Sequence, residues 1–335
     1  MSQKILLIQT AFIGDMILAT AALESLHREL PDAELHFLVR KGNESLFKGH
    51  PFLENLLVWD KKDGKYSKLF QLLKLIRSEE YDVIVNLQRF AASGFLTVFS
   101  GAKRTIGFSK NPLSIFFSTR VPHIIDPSGE LSSHEVDRNH LLIASLVKGE
   151  ASKPKLYPTK TDEEHLKSFN IHGNYICIAP ASVWFTKQFP VEKWAEFVAS
   201  LDGKLKVYLI GAPGDNVICE ELIRLSKSQH IESLCGKLSL LQSAALMRGA
   251  KMNYVNDSAP MHLCSAVNAP VTAVYCSTIP EFGFGPLSED SHIVQVEEPL
   301  SCRPCGLHGF KSCPKGHFNC AQHIDNQQLL RILSK

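Results

Sequence analysis

The chain has 335 residues, enough for about two domains of ordinary size. Hydrophobic residues make up 44% and charged residues 21%, and the formal net charge is only +2. This balance fits a globular chain with a full core and excludes a basic nucleic-acid arm or an acidic tail as its main character.

The first 22 residues hold a four-residue apolar run, Ile5–Ile8, interrupted by Gln9 and Asp15. They predict neither a secretory signal nor a membrane span, and the expectation is a cytoplasmic protein. Lys4–Gln9 has the nearly continuous apolar pattern of a strand buried on both faces. Asp15–Leu30, with apolar residues at Ile17, Ala21, Leu26 and Leu30, predicts a helix stopped by Pro31. Strands are expected at Leu35–Val39 and Leu56–Trp59, a helix at Tyr66–Arg77, and strands at Asp82–Leu87 and Arg104–Phe108. Gly149 to Gly173 is polar, contains Lys153-Pro154 and Tyr157-Pro158, and reads as a domain junction with at most a short helix.

The rhythm restarts with a strand at Tyr175–Ala179, a helix at Val191–Leu201, a strand at Leu205–Ile210 and helices at Pro213–Ser228 and Leu238–Arg248. A strand at Met252–Val255, a helix at Ser258–Val267 and a strand at Val271–Tyr275 complete it. Strands alternating with helices predict βαβ units, so the expected fold is α/β with two doubly wound Rossmann-like domains. Ligands in such sheets sit beyond the carboxyl ends of the strands, and a cleft between two facing sheets is the expected site.

Three loops after strands carry candidate chemistry. Thr10 to Asp15 (TAFIGD) leads into the first helix; Asp15 reads either as a helix cap after a turn glycine or as a carboxylate base at the strand end. Ala181-Ser182 and Lys187 follow a strand, where a hydroxyl, backbone donors and a point charge suit a diphosphate, although a solvated lysine explains them equally. Asn256-Asp257-Ser258-Ala259-Pro260-Met261-His262 ends another strand; Asp257 or Ser258 would cap the next helix, or Asp257 would accept bonds from sugar hydroxyls. The helix-cap reading leaves His262 without a use. The chain has no P-loop, no GxGxxG after a strand, no HExxH and no GxSxG.

Two stretches lack acids. Between Asp82 and Asp126 there are Arg89, Lys103, Arg104, Lys110 and Arg120; between Glu298 and Asp325 there are Arg303, Lys311 and Lys315. Each is either a solvated face or a surface for an anionic partner such as a phosphorylated glycan. Of nine cysteines, Cys177, Cys219, Cys235, Cys264 and Cys276 lie among apolar residues and read as small buried hydrophobes. Cys302, Cys305, Cys313 and Cys320, with His317, crowd the end. Tetrahedral zinc, packed reduced thiols and a disulfide all fit that spacing, and the metal question stays open.

Together these segments resemble the ADP-heptose:lipopolysaccharide heptosyltransferase family, glycosyltransferase family nine. Thr10-x3-Gly14-Asp15, Ala181-Ser182-x4-Lys187-x2-Pro190 and Asn256-Asp257-Ser258-x3-His262-Leu263 fall in the family's order and near its spacing. Ala102–Phe108 and His134-x3-Arg138 look like further family segments, and the cysteine tail resembles the heptosyltransferase II branch. The resemblance spans essentially the whole chain. It implies a GT-B fold with an acceptor-binding domain over residues 1–160 and a nucleotide-sugar domain over residues 161–335, including the Cys-rich segment 302–320.

It further implies an inverting, metal-independent transfer without a cofactor, from ADP-heptose to a lipid-linked, phosphorylated core oligosaccharide. Asp15 matches the family's base, Lys187 its donor-phosphate lysine and Asp257 the acid that holds the donor sugar, with Ser182, Ser258, Ala259 and His262 beside them. A lipid-linked acceptor implies peripheral contact with the cytoplasmic face of the inner membrane; no nucleic-acid partner is implied. Two departures are Ala259, where members commonly have Gly, and the longer Cys305–Cys313 spacing. The alternatives are transfer of another sugar, a nucleotide-sugar epimerase, and a metal-binding module built on the cysteine cluster.

Overall fold

The structure is a computed structural model that describes residues 2–62, 64–128, 133–171, 173–201, 203 and 205–334. The chain divides into two compact units: Met1–Asp126 with Glu130–Tyr157, and Pro158–Lys335 with Pro127–Gly129.

In the first unit, strands β1 (Lys4–Ile8), β2 (Glu34–Arg40), β3 (Asn55–Trp59), β4 (Val83–Asn86), β5 (Arg104–Phe108) and β6 (Thr119–Val121) form one sheet in the order β3-β2-β1-β4-β5-β6. Every neighbouring pair is parallel. Helices α1 (Ile13–Glu29), α2 (Lys65–Ser78), α3 (Ala91–Val98) and α4 (Glu135–Ile143) make the crossovers and cover the sheet. The central strands carry no polar alternation because both faces are packed, and all of β4 is buried.

The second unit repeats the plan. After α5 (Lys160–Lys167) come β7 (Tyr175–Ala179), α6 (Val191–Ala199), β8 (Lys206–Leu209), α7 (Asn216–Ser226), β9 (Ile231–Ser233), α8 (Leu240–Gly249), β10 (Met252–Asn256), α9 (Ala259–Ala266), β11 (Val271–Tyr275) and β12 (Ser291–Gln295). Its parallel sheet has the order β12-β11-β10-β7-β8-β9, and α10 (Asn319–Gln322) and α11 (Gln327–Leu333) close the chain. Counted within each unit, both sheets have the strand order 3-2-1-4-5-6 of the dinucleotide-binding fold. The core of this unit buries Trp194, Phe197, Tyr254, Phe189 and, from the tail, Phe318, Cys320 and Ile324. The five mid-chain cysteines are all buried.

Three local expectations need correction. Helix α1 starts at Ile13 with Phe12 as its N-cap residue, so Asp15 is not the cap; it is the third helical residue, and Gly14 lies inside the helix rather than in a turn before it. Ser258 does occupy the N-cap position of α9, but its hydroxyl donates to the Asn256 carbonyl at 3.3 Å instead of capping the helix. The helix expected over Pro213–Ser228 is a 3-10 turn at Pro213–Asp215 followed by α7. Among the described residues no helix is long and apolar enough to cross a membrane.

Candidate active site

In a sheet of this order the loops after the first and fourth strands leave in opposite directions and open a crevice between them. In the first unit those are the loops after β1 and β4, which pair with Ile8 opposite Asn86. In the second they are the loops after β7 and β10. The candidate residues named above lie at these two switch points.

Asp15 sits in the first turn of α1. Burial first, and then the negative charge of Glu135, push its carboxyl up to about 6; backbone N–H bonds from Asp15 and Phe12 and the charge of Arg89 pull the other way. Glu135 begins α4, which packs against α1. Burial works to raise the Glu135 carboxyl, but His123 and Arg138 outweigh it and the net shift is downward. The His123 Nε2 lies 3.1 Å from Glu135 Oε2, and the Arg138 Nε donates to that oxygen at 2.7 Å. Two carboxylates with oppositely shifted proton affinities are an arrangement from which acid–base roles follow. Arg138 is among the largest fully buried side chains, as expected of a cation held inside by a carboxylate. Sequence reasoning passed over Glu135; the signal was a carboxylate three residues before an arginine, next to a histidine that starts a helix. His134 caps α4 in a reciprocal box with Asp137, which fixes Glu135 in the first turn.

In the second unit the Lys187 Nζ stands 2.7 Å from Asp257 Oδ2, with side chains 15% and 9% exposed. Thr278, beyond β11, donates its hydroxyl to the same oxygen at 2.7 Å. The pair is assembled by Asn256, a fully buried residue at the end of β10. Its side-chain NH2 donates to the Pro180 carbonyl at 2.8 Å, and its Oδ1 accepts from the Phe189 N–H at 2.9 Å. One side chain thereby closes the loop that carries Ser182 and Lys187. Within that loop Gln188 Nε2 donates to the Ser182 carbonyl at 2.6 Å. Ser258 and Ala259 open α9, with Pro260 removing one of the N–H donors of its first turn, and His262 is buried farther along. Ser182, Lys187, Asp257, Ser258 and Ala259 thus gather at one end of this sheet, while Asp15 belongs to the other unit.

The cysteine-rich tail reaches the same loop. The Phe310 N–H donates to Thr186 Oγ1 at 2.8 Å, and the Thr186 N–H donates back to the Phe310 carbonyl at 3.1 Å. Ser277 donates its hydroxyl to Thr186 Oγ1 at 3.0 Å. Arg303 ties the tail to the end of β11, donating to the carbonyls of Cys276 at 2.7 Å and Thr278 at 2.8 Å. Cys305 donates its thiol to the Cys302 carbonyl at 3.0 Å, and Cys302 Sγ is 3.9 Å from His317 Nε2. Among the described residues, the set of three side chains whose ligand atoms all lie within 4.8 Å is Glu34, His36 and Glu79, not the tail thiols. That set already surrounds a cation, since the Lys4 ammonium lies 3.1 Å from Glu34 and 2.6 Å from Glu79.

Solved structures resemble the chain along its whole length. The glycosyl transferase family 9 protein from Veillonella parvula gives a TM-score of 0.84 at 20% identity, covering 99% of this chain and 97% of that one. The ADP-heptose lps heptosyltransferase II of Escherichia coli gives 0.80 at 19%, covering 99% and 98%. Two Rossmann-like units of this kind define the GT-B class of glycosyltransferase. In sequence, lipopolysaccharide heptosyltransferase 3 of Escherichia coli is 26% identical over 277 residues, covering 80% of this chain and 82% of that protein. The family profile of glycosyltransferase family 9 (heptosyltransferase) matches residues 69–308, and the chain belongs to that family.

Proposed function

We propose that the chain transfers heptose from ADP-heptose to the lipopolysaccharide inner core with inversion at the anomeric carbon and without a metal. In this reading residues 1–160 bind the acceptor and residues 161–335 the nucleotide sugar. The enzyme works at the cytoplasmic face of the inner membrane on a lipid-linked, phosphorylated oligosaccharide. The observation that carries it is Asp15: a carboxyl with a proton affinity near 6, beside the ionised Glu135, at a switch point of a family 9 chain.

The acceptor hydroxyl attacks the anomeric carbon from the face opposite the diphosphate, its proton passes to Asp15, and the carbon–oxygen bond to ADP breaks. Negative charge grows on the departing diphosphate. Lys187, the Ser182 hydroxyl and the start of α9 at Ser258 and Ala259 are the groups to receive it. In the free protein Asp257 neutralises Lys187. A bound diphosphate competes for that ammonium and leaves Asp257 to accept hydrogen bonds from the sugar, with His262 farther along α9.

Purified protein is expected to release ADP from ADP-heptose only when a core acceptor is supplied; conversion of the donor without acceptor is the outcome for an epimerase. The Asp15→Asn variant should turn over about 10²–10⁴-fold more slowly, the usual contribution of a positioned base. Undiminished turnover of that variant removes Asp15 from the mechanism.

A further inference from the structure

Apart from Arg89, whose charge bears on Asp15, and His123, which holds Glu135, the acid-free stretch between Asp82 and Asp126 has no role in the chemistry above. It contains five Lys and Arg residues and no carboxylate. It also holds five large apolar side chains left in solvent: Phe90, Phe99, Ile115, Phe116 and Ile124. Scattered singly, such residues need no explanation, but Phe90 lines a cavity and Ile115 and Phe116 stand together on one turn.

Phe90 and the Ile115–Phe116 tip are brought together by Asn111. Its side-chain NH2 donates to the Phe90 carbonyl at 3.0 Å and the Gln88 carbonyl at 3.1 Å, while its Oδ1 accepts from the Leu113 N–H at 3.0 Å. The start of α3 is thereby joined to the loop after β5. The next turn, Ser114–Phe116, points its side chains unequally: Ser114 and Phe117 are buried, whereas Ile115 is 68% and Phe116 62% exposed. Phe90, 65% exposed, and Leu113 both line a cavity of about 620 Å³ that is otherwise mostly apolar. Cations flank this rim: Arg89 precedes Phe90 and Lys110 is exposed at the start of the loop, while Lys61, inside the cavity, donates to Thr10.

We propose that this rim docks the protein onto an anionic lipid surface, with Phe90, Ile115 and Phe116 entering the interface and the neighbouring Arg and Lys residues meeting lipid phosphates. Exposed aliphatic and aromatic tips framed by cations bind at the boundary between headgroups and acyl chains, where each kind of side chain finds its own medium. A patch meeting a protein partner would ordinarily mix both charge signs at its rim, whereas the side chains next to these apolar tips in the chain, Arg89 and Lys110, are cations that match a surface of negative charge; Lys103, farther along the stretch, is already paired with Asp82. The proposal deepens the lipid-linked acceptor reading by naming the surface that reaches it.

Co-sedimentation of the full chain with vesicles tests it. Vesicles of phosphatidylglycerol and phosphatidylethanolamine should retain the protein, phosphatidylcholine vesicles should not, and 0.5 M salt should release it. The Ile115→Glu/Phe116→Glu variant should bind the anionic vesicles at least tenfold more weakly, yet keep its melting temperature and its turnover of a water-soluble, delipidated core oligosaccharide. Failure of the wild type to bind anionic vesicles overturns the proposal. So does equal binding by the variant, or a light-scattering mass that shows the rim pairing two copies instead. Vesicle binding as expected in a protein that transfers no heptose leaves the docking surface standing and removes the proposed function.

Discussion

In the proposed mechanism Asp15 serves two opposed demands, folding and proton transfer. Its carboxyl is raised from 3.8 to about 6 by burial and by Glu135, so the folded chain holds a proton that the unfolded chain releases. Stability from this group is present below the unfolded value and is lost as pH rises through about 6. The shift corresponds to about 3 kcal/mol lost at neutral pH. The Asp15→Asn variant should therefore melt at a higher temperature than the wild type at pH 7.5 while losing activity; a lower melting temperature contradicts the account. The proposed base acts in its ionised form, so kcat/KM should fall as pH drops through about 6. Glu135→Gln removes a negative neighbour and uncovers the positive charge of Arg138, both of which lower the Asp15 proton affinity. Its acid limb should move to lower pH, and an unmoved limb denies that the two carboxylates are coupled. Breaking this buried cluster should also cost roughly 3–5 kcal/mol of stability.

At the scale of elements, the loop between β7 and α6 is held from two sides, by Asn256 and by the tail at Phe310. Thr186→Val keeps the shape but leaves the Phe310 N–H and the buried Ser277 hydroxyl without their shared acceptor, a loss of about 1–3 kcal/mol. Gly309 has φ +78, and a Cβ there would stand 3.0 Å from both Lys187 Cγ and Thr186 Oγ1. Gly309→Ala should thus be strained in backbone and displace Lys187, raising the KM for the nucleotide sugar with little change in the acid limb set by Asp15. Steady-state kinetics over a pH series separates the two effects. The cysteine tail was visible in the sequence as a cluster, but its stitching to Thr186 was not, because those bonds join residues 124 apart through the Phe310 backbone, whose groups any sequence supplies. Elements missed in the sequence have similar causes. Helix α3 (AASGFLTV) is only eight residues long and apolar overall, too short a window for a helical period to declare itself, and β6 and β9 are three-residue edge strands.

At the scale of the molecule, both units share one strand order, which places each group of candidate residues at a switch point. ADP at 100 times its Kd should stabilise the chain by about 2.7 kcal/mol. Hydrogen exchange should then slow most at residues 181–188 and 256–262; slowing confined to the first unit contradicts the assignment of the nucleotide site. Apolar runs between turn residues are local, so the sequence by itself determined the α/β class, the principal strands and the loops that carry Asp15, Lys187 and Asp257. Its motifs also sufficed for the family resemblance. Tertiary structure decided what those residues meet. Proton affinity, ion pairing and the joining of Phe90 to the Ile115–Phe116 tip depend on neighbours brought close by parallel crossovers. Glu135 beside Asp15, Asp257 against Lys187 and Phe310 on Thr186 come from separate segments, and no local pattern encodes their distance.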